Sequence, residues 1–243
     1  MLPQDIYDIA KQKYLKSLNT TKPPQDEELC RNMTVVMLQN SKITDVPNLS
    51  IFQTAQKVYL QNNLISSVVV QQHNTIEDLD LSHNQLSMIP QIGGNNTLTF
   101  NLSHNLLNNC SLSNYLPNLC LLNISNQPGD VFADDFGLNL ATNAPRLEIL
   151  ICDQINCTDL SFVKECKSLR QLSCKQNMID QIEDVVQYLP QTVVSLNLAG
   201  NNVVKKRGFL EMVCSVCRGM LVLNDKKLSA QQVEFAILKA SRM

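Results

Sequence analysis

Apolar and polar residues alternate in a fixed pattern that recurs along the chain. In the stretch Ile76–Leu86, which reads IEDLDLSHNQL, leucine or isoleucine occupies the first, fourth, sixth and eleventh positions, and Asn84 occupies the ninth. The alternation at its centre predicts a short strand with one apolar face. The asparagine amide can both donate to and accept from backbone groups at the turn that follows. The stretch therefore predicts a strand and a turn whose apolar face must be covered by neighbouring copies.

Eight copies of this pattern are present. They begin at residues 33, 55, 76, 97, 119, 147, 169 and 193, so successive starts lie 22, 21, 21, 22, 28, 22 and 24 residues apart. Ser41, Gln127 and Ile155 take the asparagine position in the first, fifth and sixth copies. This period and template are typical of leucine-rich repeats. We therefore predict an α/β leucine-rich-repeat solenoid, with a curved parallel sheet on the concave face and short 3₁₀ or helical segments on the convex face.

Helical patterns at both ends of the chain would cap this stack. Residues 4–18 space their apolar side chains as a helix does, residues 19–30 would link that helix to the first copy, and residues 208–220 and 229–243 form two more helical patterns. Residues 220–228 between them predict a last strand and turn. Ser229 and Gln232 have the spacing of a capping box. We predict one structural domain with an N-terminal cap at 1–30, eight repeats at 31–207 and a C-terminal cap at 208–243.

The long interval between the fifth and sixth copies holds an insertion near residues 127–146. Pro128-Gly129 predicts a turn, and the residues after it mix three aspartates with Phe132 and Phe136. The insertion is either a tolerated excursion of the convex side or a loop that contacts a partner, since loops on rigid scaffolds often bind. The sequence leaves both interpretations open.

Composition excludes several function classes. A net charge of −2, a pI near 5.9 and 7 glycines argue against a nucleic-acid surface and against glycine-rich phosphate loops. The N-terminus lacks the run of about 7–15 apolar residues of a signal peptide, and no stretch reaches the roughly 18 apolar residues of a membrane span. The nine scattered cysteines are expected to be buried thiols in a reducing compartment. We therefore expect a cytoplasmic protein that does not bind membranes.

Template positions two, three, five, seven and eight should line the concave face, where repeat proteins bind their partners. An acidic group at Glu77, Asp78 and Asp80 lies near Tyr59 in this arrangement. It would suit a basic partner surface, and a solvated strand face explains it equally well. The candidate partner-binding residues are Tyr59, Asp78, Asp80, His83, Asn101, His104, Asn123 and Asp153.

No catalytic or metal-binding constellation is recognisable. His83 and His104 should lie in adjacent copies, but no further ligands are fixed beside them, so we expect no metal site. Cys214 and Cys217 form one C-x-x-C within a helical pattern, without a second pair, and buried thiols explain them best. The carboxylates are not paired with a nucleophile, and an open solenoid surface is poorly suited to catalysis. We therefore expect no enzyme activity and no cofactor.

Three segments resemble known proteins. QKVYLQNNLISSV at 56–68, NISNQPGDVFADDF at 123–136 and LVLNDKKL at 221–228 are similar to segments of the cytosolic leucine-rich-repeat regulatory subunits of protein phosphatase 1. The chain departs from that group at Ile155 and at Asn224-Asp225, which replaces an Asp-Gly pair. It also lacks an R-V-x-F phosphatase-docking motif.

The resemblance implies a non-catalytic adaptor whose concave face binds a phosphatase catalytic subunit or a cytoskeletal protein such as tubulin. It also implies association with microtubules, centrosomes, cilia or flagella. Two alternatives follow from relatives in fold: a structural component of an axonemal microtubule assembly, and a ribonucleoprotein scaffold, which the net charge disfavours.

Overall fold

One sheet runs the length of the molecule. The structure, a computed structural model, describes residues 4–18, 26–44, 46, 49, 51–68, 70, 75–93, 95–112, 114–128 and 136–242. Within these residues ten short strands pair in chain order, parallel from β1 to β9, with β10 antiparallel to β9. The strands are β1 Val35–Met37, β2 Lys57–Tyr59, β3 Asp78–Asp80, β4 Thr99–Asn101, β5 Leu121–Asn123, β6 Ile149–Ile151, β7 Gln171–Ser173, β8 Ser195–Asn197, β9 Val222–Leu223 and β10 Lys226–Lys227.

The repeat template fixes the register of this sheet. Leu79 pairs with Val58 on one side and with Phe100 on the other, so the same template position aligns in every described pair of copies. The residues at positions four and six, such as Leu79 and Leu81, are fully buried. Their side chains form one continuous aliphatic core behind the sheet. The predicted α/β leucine-rich-repeat solenoid is confirmed.

Every copy leaves its strand through the same turn. The residue at template position eight has a positive φ in all eight copies, close to +55° for His83 and His104 and +85° for Gly200. Asparagine and histidine tolerate this left-handed region better than most residues do. The N–H of His83 donates to the carbonyl of Ser103 at 2.9 Å, and the other copies up to the seventh repeat this bond to the next copy. The turn residues are Asn40, Asn62, His83, His104, Asn126, Gln154, Gln176 and Gly200.

A ladder of buried amide side chains joins the turns. The Oδ1 of Asn84 accepts from the N–H of Ile65 at 3.0 Å. Its Nδ2 donates to the carbonyls of Leu60 and Leu81, each at 3.0 Å. Ile155, which is fully buried, interrupts this ladder between the fifth copy and the seventh. The amides of the ladder belong to Asn63, Asn84, Asn105, Gln127, Asn177 and Asn201.

The convex side differs between the two halves of the solenoid. In the N-terminal half its described segments are extended and linked by isolated parallel bridges, such as Val46 to Val68 and Val70 to Ile92. In the C-terminal half it is helical. The helical segments there are α3 Phe136–Asn143, a 3₁₀ turn Ser161–Val163, α4 Ile182–Tyr188 and a 3₁₀ turn Asn202–Lys205.

Helices cover the N-terminal end of the stack. Helix α1, Gln4–Leu18, forms where the sequence predicts it and buries Ile6, Tyr7 and Ala10 against the first copy. The segment expected to be a simple link contains a further helix, α2, Asp26–Arg31. Leu29 and Cys30 of α2 are buried, so this segment also covers the apolar edge of the first copy.

The C-terminal cap combines a hairpin and two helices. Helix α5, Phe209–Val216, packs against α6, Ala230–Ala240, whose Val233 and Ala236 are buried. The predicted capping box is present, with Ser229 accepting from the N–H of Gln232. The last strand is half of a hairpin rather than a strand and turn, because Asn224 and Asp225 both have positive φ, as a tight two-residue turn requires. The domain limits at residues 30 and 207 stay a prediction.

The described part of the insertion belongs to the convex core. Residues 129–135, with Phe132 and the three aspartates, lie outside the described residues. Phe136 begins α3, is buried, and its ring lies 5.9 Å from that of Phe162. A Cβ at Gly137 would lie 2.7 Å from the backbone of Phe162, so glycine permits this close approach. Phe136 therefore packs into the convex core and is not available as a contact residue, while the role of residues 129–135 stays a prediction.

A candidate binding surface on the concave face

Four of the predicted contact residues form one row. Tyr59, Asp80, Asn101 and Asn123 occupy template position five on strands β2 to β5, and each pairs with the next in the sheet register. Asp78 lies beside this row on β3. All five side chains are partly exposed. The structure therefore brings these residues together on the concave face, as predicted, while Asp153 lies farther along, just after β6.

Neutral donors orient the carboxylate of Asp78. The hydroxyl of Tyr59 donates to its Oδ2 at 3.4 Å, and the hydroxyl of Thr99 donates to its Oδ1. Partial burial raises the pKa of Tyr59, and the negative charges of Asp78 and Asp80 raise it further. The phenol thus stays protonated and continues to donate at neutral pH. The carboxylate is held across three strands by donors that carry no positive charge.

Position five also closes the end of the strand. Asp80 accepts from the N–H of Ser82 at 2.9 Å. Asn101 and Asn123 accept in the same way from the N–H groups two residues on, at 3.2 and 3.0 Å. Asn197 repeats this bond in the eighth copy at 3.1 Å. Aspartate and asparagine therefore fill the same structural role here, and only the aspartate adds a charge.

Asp153 is engaged by the neighbouring copy. Its Oδ1 accepts from the hydroxyl of Ser173 at 2.7 Å and from the N–H of Lys175 at 2.8 Å. Its Oδ2 lies 3.5 Å from the Nζ of Lys175, and the Asp153 side chain is only 16% exposed. The negative charge at this end of the face is therefore paired, in contrast to that of Asp78.

The two predicted histidines stack on each other. The ring centroids of His83 and His104 lie 4.0 Å apart, with an interplanar angle of 11°. Burial lowers the pKa of His104, and a positive charge on His83 would lower it further. Over the described residues, no group of three or more His, Cys, Asp or Glu side chains is arranged to hold a metal ion. The two stacked imidazole rings are exposed at the border of the concave face.

An apolar patch on the concave face was missed by the sequence analysis. Leu121 pairs with Ile149, and Asn123 with Ile151, so three aliphatic side chains lie together on β5 and β6. Leu98, which is 42% exposed, and Cys120 lie next to them at position two. We define the apolar patch as Leu98, Cys120, Leu121, Ile149 and Ile151. The signal was available, because outward template positions in copies five and six hold aliphatic residues where copies two to four hold mostly polar ones.

The cysteines are buried thiols, with Cys120 only partly buried. Burial raises the pKa of Cys110, Cys166 and Cys217 to about 12. Cys152 and Cys174 lie with their sulfurs 2.9 Å apart behind adjacent strands, and burial also raises the pKa of Cys152. Since the thiolate is the reactive form, these side chains are poor nucleophiles at neutral pH.

Comparisons with known proteins identify the fold. No protein-family model matches the sequence, and no curated protein matches it. Internalin C2 of Listeria monocytogenes superposes with a TM-score of 0.65 at 16% identity, over 83% of this chain and 89% of that chain. The chain has the leucine-rich-repeat fold. The internalin inlF of the same bacterium gives a TM-score of 0.50 at 12% identity, over 92% of this chain and 75% of that one.

A third solved structure shares little overall geometry. The Drosophila melanogaster SNF/U2A′ complex gives a TM-score of 0.33 at 14% identity, over 92% of this chain and 97% of that one. None of these three structures is a phosphatase regulatory subunit, so that resemblance stays a hypothesis. Among the described residues, no helix has the length and apolar character needed to cross a bilayer.

Proposed function

We propose that the protein is a non-catalytic scaffold that binds another protein on its concave face. The observation that supports this most directly is the apolar patch, which is centred on β5 and β6. It lies on the same face of the sheet as the carboxylates of Asp78 and Asp80 on β3. Exposed apolar surface bordered by polar residues marks interaction sites in soluble proteins. Stacked repeats present such residues on one continuous wall.

The chemistry of the side chains agrees with a role without catalysis. Burial raises the pKa of Cys110, Cys166 and Cys217, and Asp80, Asn101 and Asn123 accept hydrogen bonds that close the ends of their strands. A surface open to water also weakens the electrostatic interactions that catalysis requires. Binding is the activity that this arrangement can perform.

The sequence resemblance suggests the class of partner. We propose a protein phosphatase catalytic subunit, or a cytoskeletal protein such as tubulin, as the partner, and the cytoplasm with its microtubule structures as the location. An axonemal structural role is the second candidate, and it would also require microtubule binding. A ribonucleoprotein scaffold is disfavoured by the net charge of −2.

Two binding measurements with matched variants test this proposal. The purified chain would be titrated against a phosphatase catalytic subunit and co-sedimented with microtubules. Ile151→Arg places a charge in the apolar patch, whereas Gln187→Arg places the same charge on an exposed residue of convex helix α4. We expect Ile151→Arg to weaken binding at least about fivefold, since the loss of a central contact typically costs more than about 1 kcal/mol. Gln187→Arg should leave binding unchanged.

The outcomes separate the partner from the surface. If neither the phosphatase nor microtubules bind, the proposed partner classes are wrong. If one binds and both variants bind it equally well, the concave face is not the binding surface. Circular dichroism of both variants would confirm that the solenoid remains folded.

A further inference from the structure

We infer that the concave face selects a partner segment with a basic side chain over β3 and a large aliphatic side chain over β5 and β6. This inference rests on the proposed function and specifies the chemistry of the partner. It depends on the fixed distance between the carboxylates of Asp78 and Asp80 and the apolar patch.

The carboxylates at β3 accept hydrogen bonds only from neutral donors. The donors to Asp78 and Asp80 are hydroxyl and backbone N–H groups, which orient the carboxylates without neutralising them. Lys57 lies beside Asp78 in the register, yet the ion pairs of the described residues include neither of them. Glu77, directly before the strand, adds a third partly exposed carboxylate. A partner cation would therefore meet net negative charge here, since three carboxylates face one lysine.

The charge pattern beyond the patch gives the partner a direction. On the far side of β6, the exposed Arg170 precedes β7, and Lys175 follows that strand. Two carboxylates lie beside them, the exposed Glu148 directly before β6 and Asp153, which is paired with Lys175. A basic partner residue would therefore meet balanced charge near β7 and net negative charge at β3. The aliphatic residue therefore lies on the β7 side of the basic one.

The sheet geometry sets the spacing between these two partner residues. Parallel strands lie about 4.8 Å apart, so β3 is about 10 Å from β5 and about 14 Å from β6. An extended segment advances about 3.3 Å per residue, which places the basic and aliphatic residues about three or four positions apart. A helix rises about 1.5 Å per residue and would need about seven to nine positions. The surface would therefore select a partner both by its basic and aliphatic residues and by the number of positions between them.

Selection from a displayed library of random dodecapeptides tests this inference. The baits are the unmodified protein, an Asp78→Asn/Asp80→Asn variant and an Ile149→Ser/Ile151→Ser variant. Asparagine at position 80 keeps the bond to the N–H of residue 82, because Asn101 and Asn123 make that bond in their own copies. The first variant therefore removes charge while preserving the turn.

Each bait should lose a different preference. The unmodified protein should enrich peptides with Lys or Arg three or four positions from Leu, Ile, Phe or Met. The Asn/Asn variant should keep the aliphatic preference and lose the basic one, and the Ser/Ser variant should do the reverse. A synthetic enriched peptide should bind the Asn/Asn variant about three- to tenfold more weakly, since exposed ion pairs contribute up to about 1 kcal/mol each. Its affinity for the unmodified protein should fall with added salt.

Failure of this inference differs from failure of the proposed function. Enriched peptides that are acidic, that lack a preferred spacing, or that respond to neither variant would overturn the inference, and so would an empty selection. If Ile151→Arg abolishes peptide binding while the Asn/Asn variant keeps its preference for lysine, only the inference fails. If enriched peptides bind Ile151→Arg as well as they bind the unmodified protein, the concave-face function fails as well.

Discussion

The two halves of the solenoid differ in the side chains that link their turns and in the structure of their convex segments. In copies two to five, amide side chains at position nine link the turns continuously, and the convex segments of copies one to four are extended. From copy five onward helical segments occupy the convex side, and Ile155 in copy six interrupts the ladder. The comparison shows that the concave strand and turn are invariant, whereas the convex side follows the length of each copy.

Length explains the convex difference. An extended chain spans about 3.3 Å per residue and a helix only about 1.5 Å, so a short copy must return in extended form. Helix α3 belongs to the copy with the 28-residue interval, and α4 to the copy with the 24-residue interval. The 22-residue copy between them accommodates only a 3₁₀ turn at Ser161–Val163.

The largest expected effect concerns the continuous ladder. Asn84→Ala would leave the buried N–H of Ile65 without its side-chain partner and would remove one of the two amide donors to each of the carbonyls of Leu60 and Leu81. We expect a loss of about 1–3 kcal/mol in the free energy of unfolding, measured by urea denaturation. Gln85→Ala, at the exposed neighbouring position, is the control and should change stability by less than about 0.5 kcal/mol. Equal stability of both variants would contradict the structural role of the ladder.

The turn residues at template position eight provide the second test. Gly200 has φ +85°, and an added Cβ would lie 2.9 Å from Cγ and 3.1 Å from the backbone of Gln176. Gly200→Ala should therefore destabilise the protein by about 1–2 kcal/mol, the penalty of the left-handed region for a residue with a Cβ. Gly219→Ala is the control, because its Cβ would meet only the side chain of Val194 at 3.7 Å. A thermal melt in which both variants match the parent would show that the turn relaxes at no cost.

Ile155, which interrupts the ladder of amide side chains, should behave as an ordinary core residue. Ile155→Val removes one methylene from a fully buried side chain and should lower the free energy of unfolding by about 0.5–1.5 kcal/mol. The effect should be smaller than that of Asn84→Ala, because no polar group loses a partner. Chemical denaturation of the two variants side by side gives the ranking. The reverse order would mean that Ile155 supports the backbone in a way that packing does not explain.

The smallest effect concerns pH in the N-terminal half. Because the pKa of His104 is lowered in the folded state, the unfolded chain binds more protons between the folded and unfolded pKa values. Stability is therefore complete above the unfolded pKa near 6.5 and declines as the pH falls through the folded value. His104→Asn retains a residue that the same turn accepts at Asn62 and Asn126, and it should reduce this decline. Melting temperatures at pH 7.5 and 5.5 provide the measurement, and an identical decline in both proteins would exclude His104 as its source.

The sequence predicted what the repeat period determines. Strand positions, the stacked histidines and the Ser229 capping box all follow from fixed spacings, so the structure confirms them. The row from Tyr59 to Asn123 could be predicted because equal template positions align across parallel strands. The side chains that the repeat template does not specify were harder to predict. It treats outward positions as generically polar, so the aliphatic Leu121, Ile149 and Ile151 were overlooked.

Departures from the period were also difficult to predict. The inward packing of Phe136 depends on contact with Phe162 in the next copy, and no local pattern encodes that contact. Likewise, α2 forms because Leu29 and Cys30 find the uncovered edge of the first copy. Both elements are stabilised by tertiary packing rather than by their own short sequences.

The final hairpin limits the extension of the sheet at its C-terminal edge. Its outer strand β10 consists of Lys226 and Lys227, both exposed, at the last edge of a sheet that otherwise accepts one strand after another. An incoming chain would have to place its backbone against two adjacent positive charges, and a strand of two residues offers few hydrogen bonds in return. Growth of the sheet into a fibre from this end is therefore disfavoured, and replacing both lysines with valine would remove that protection against aggregation.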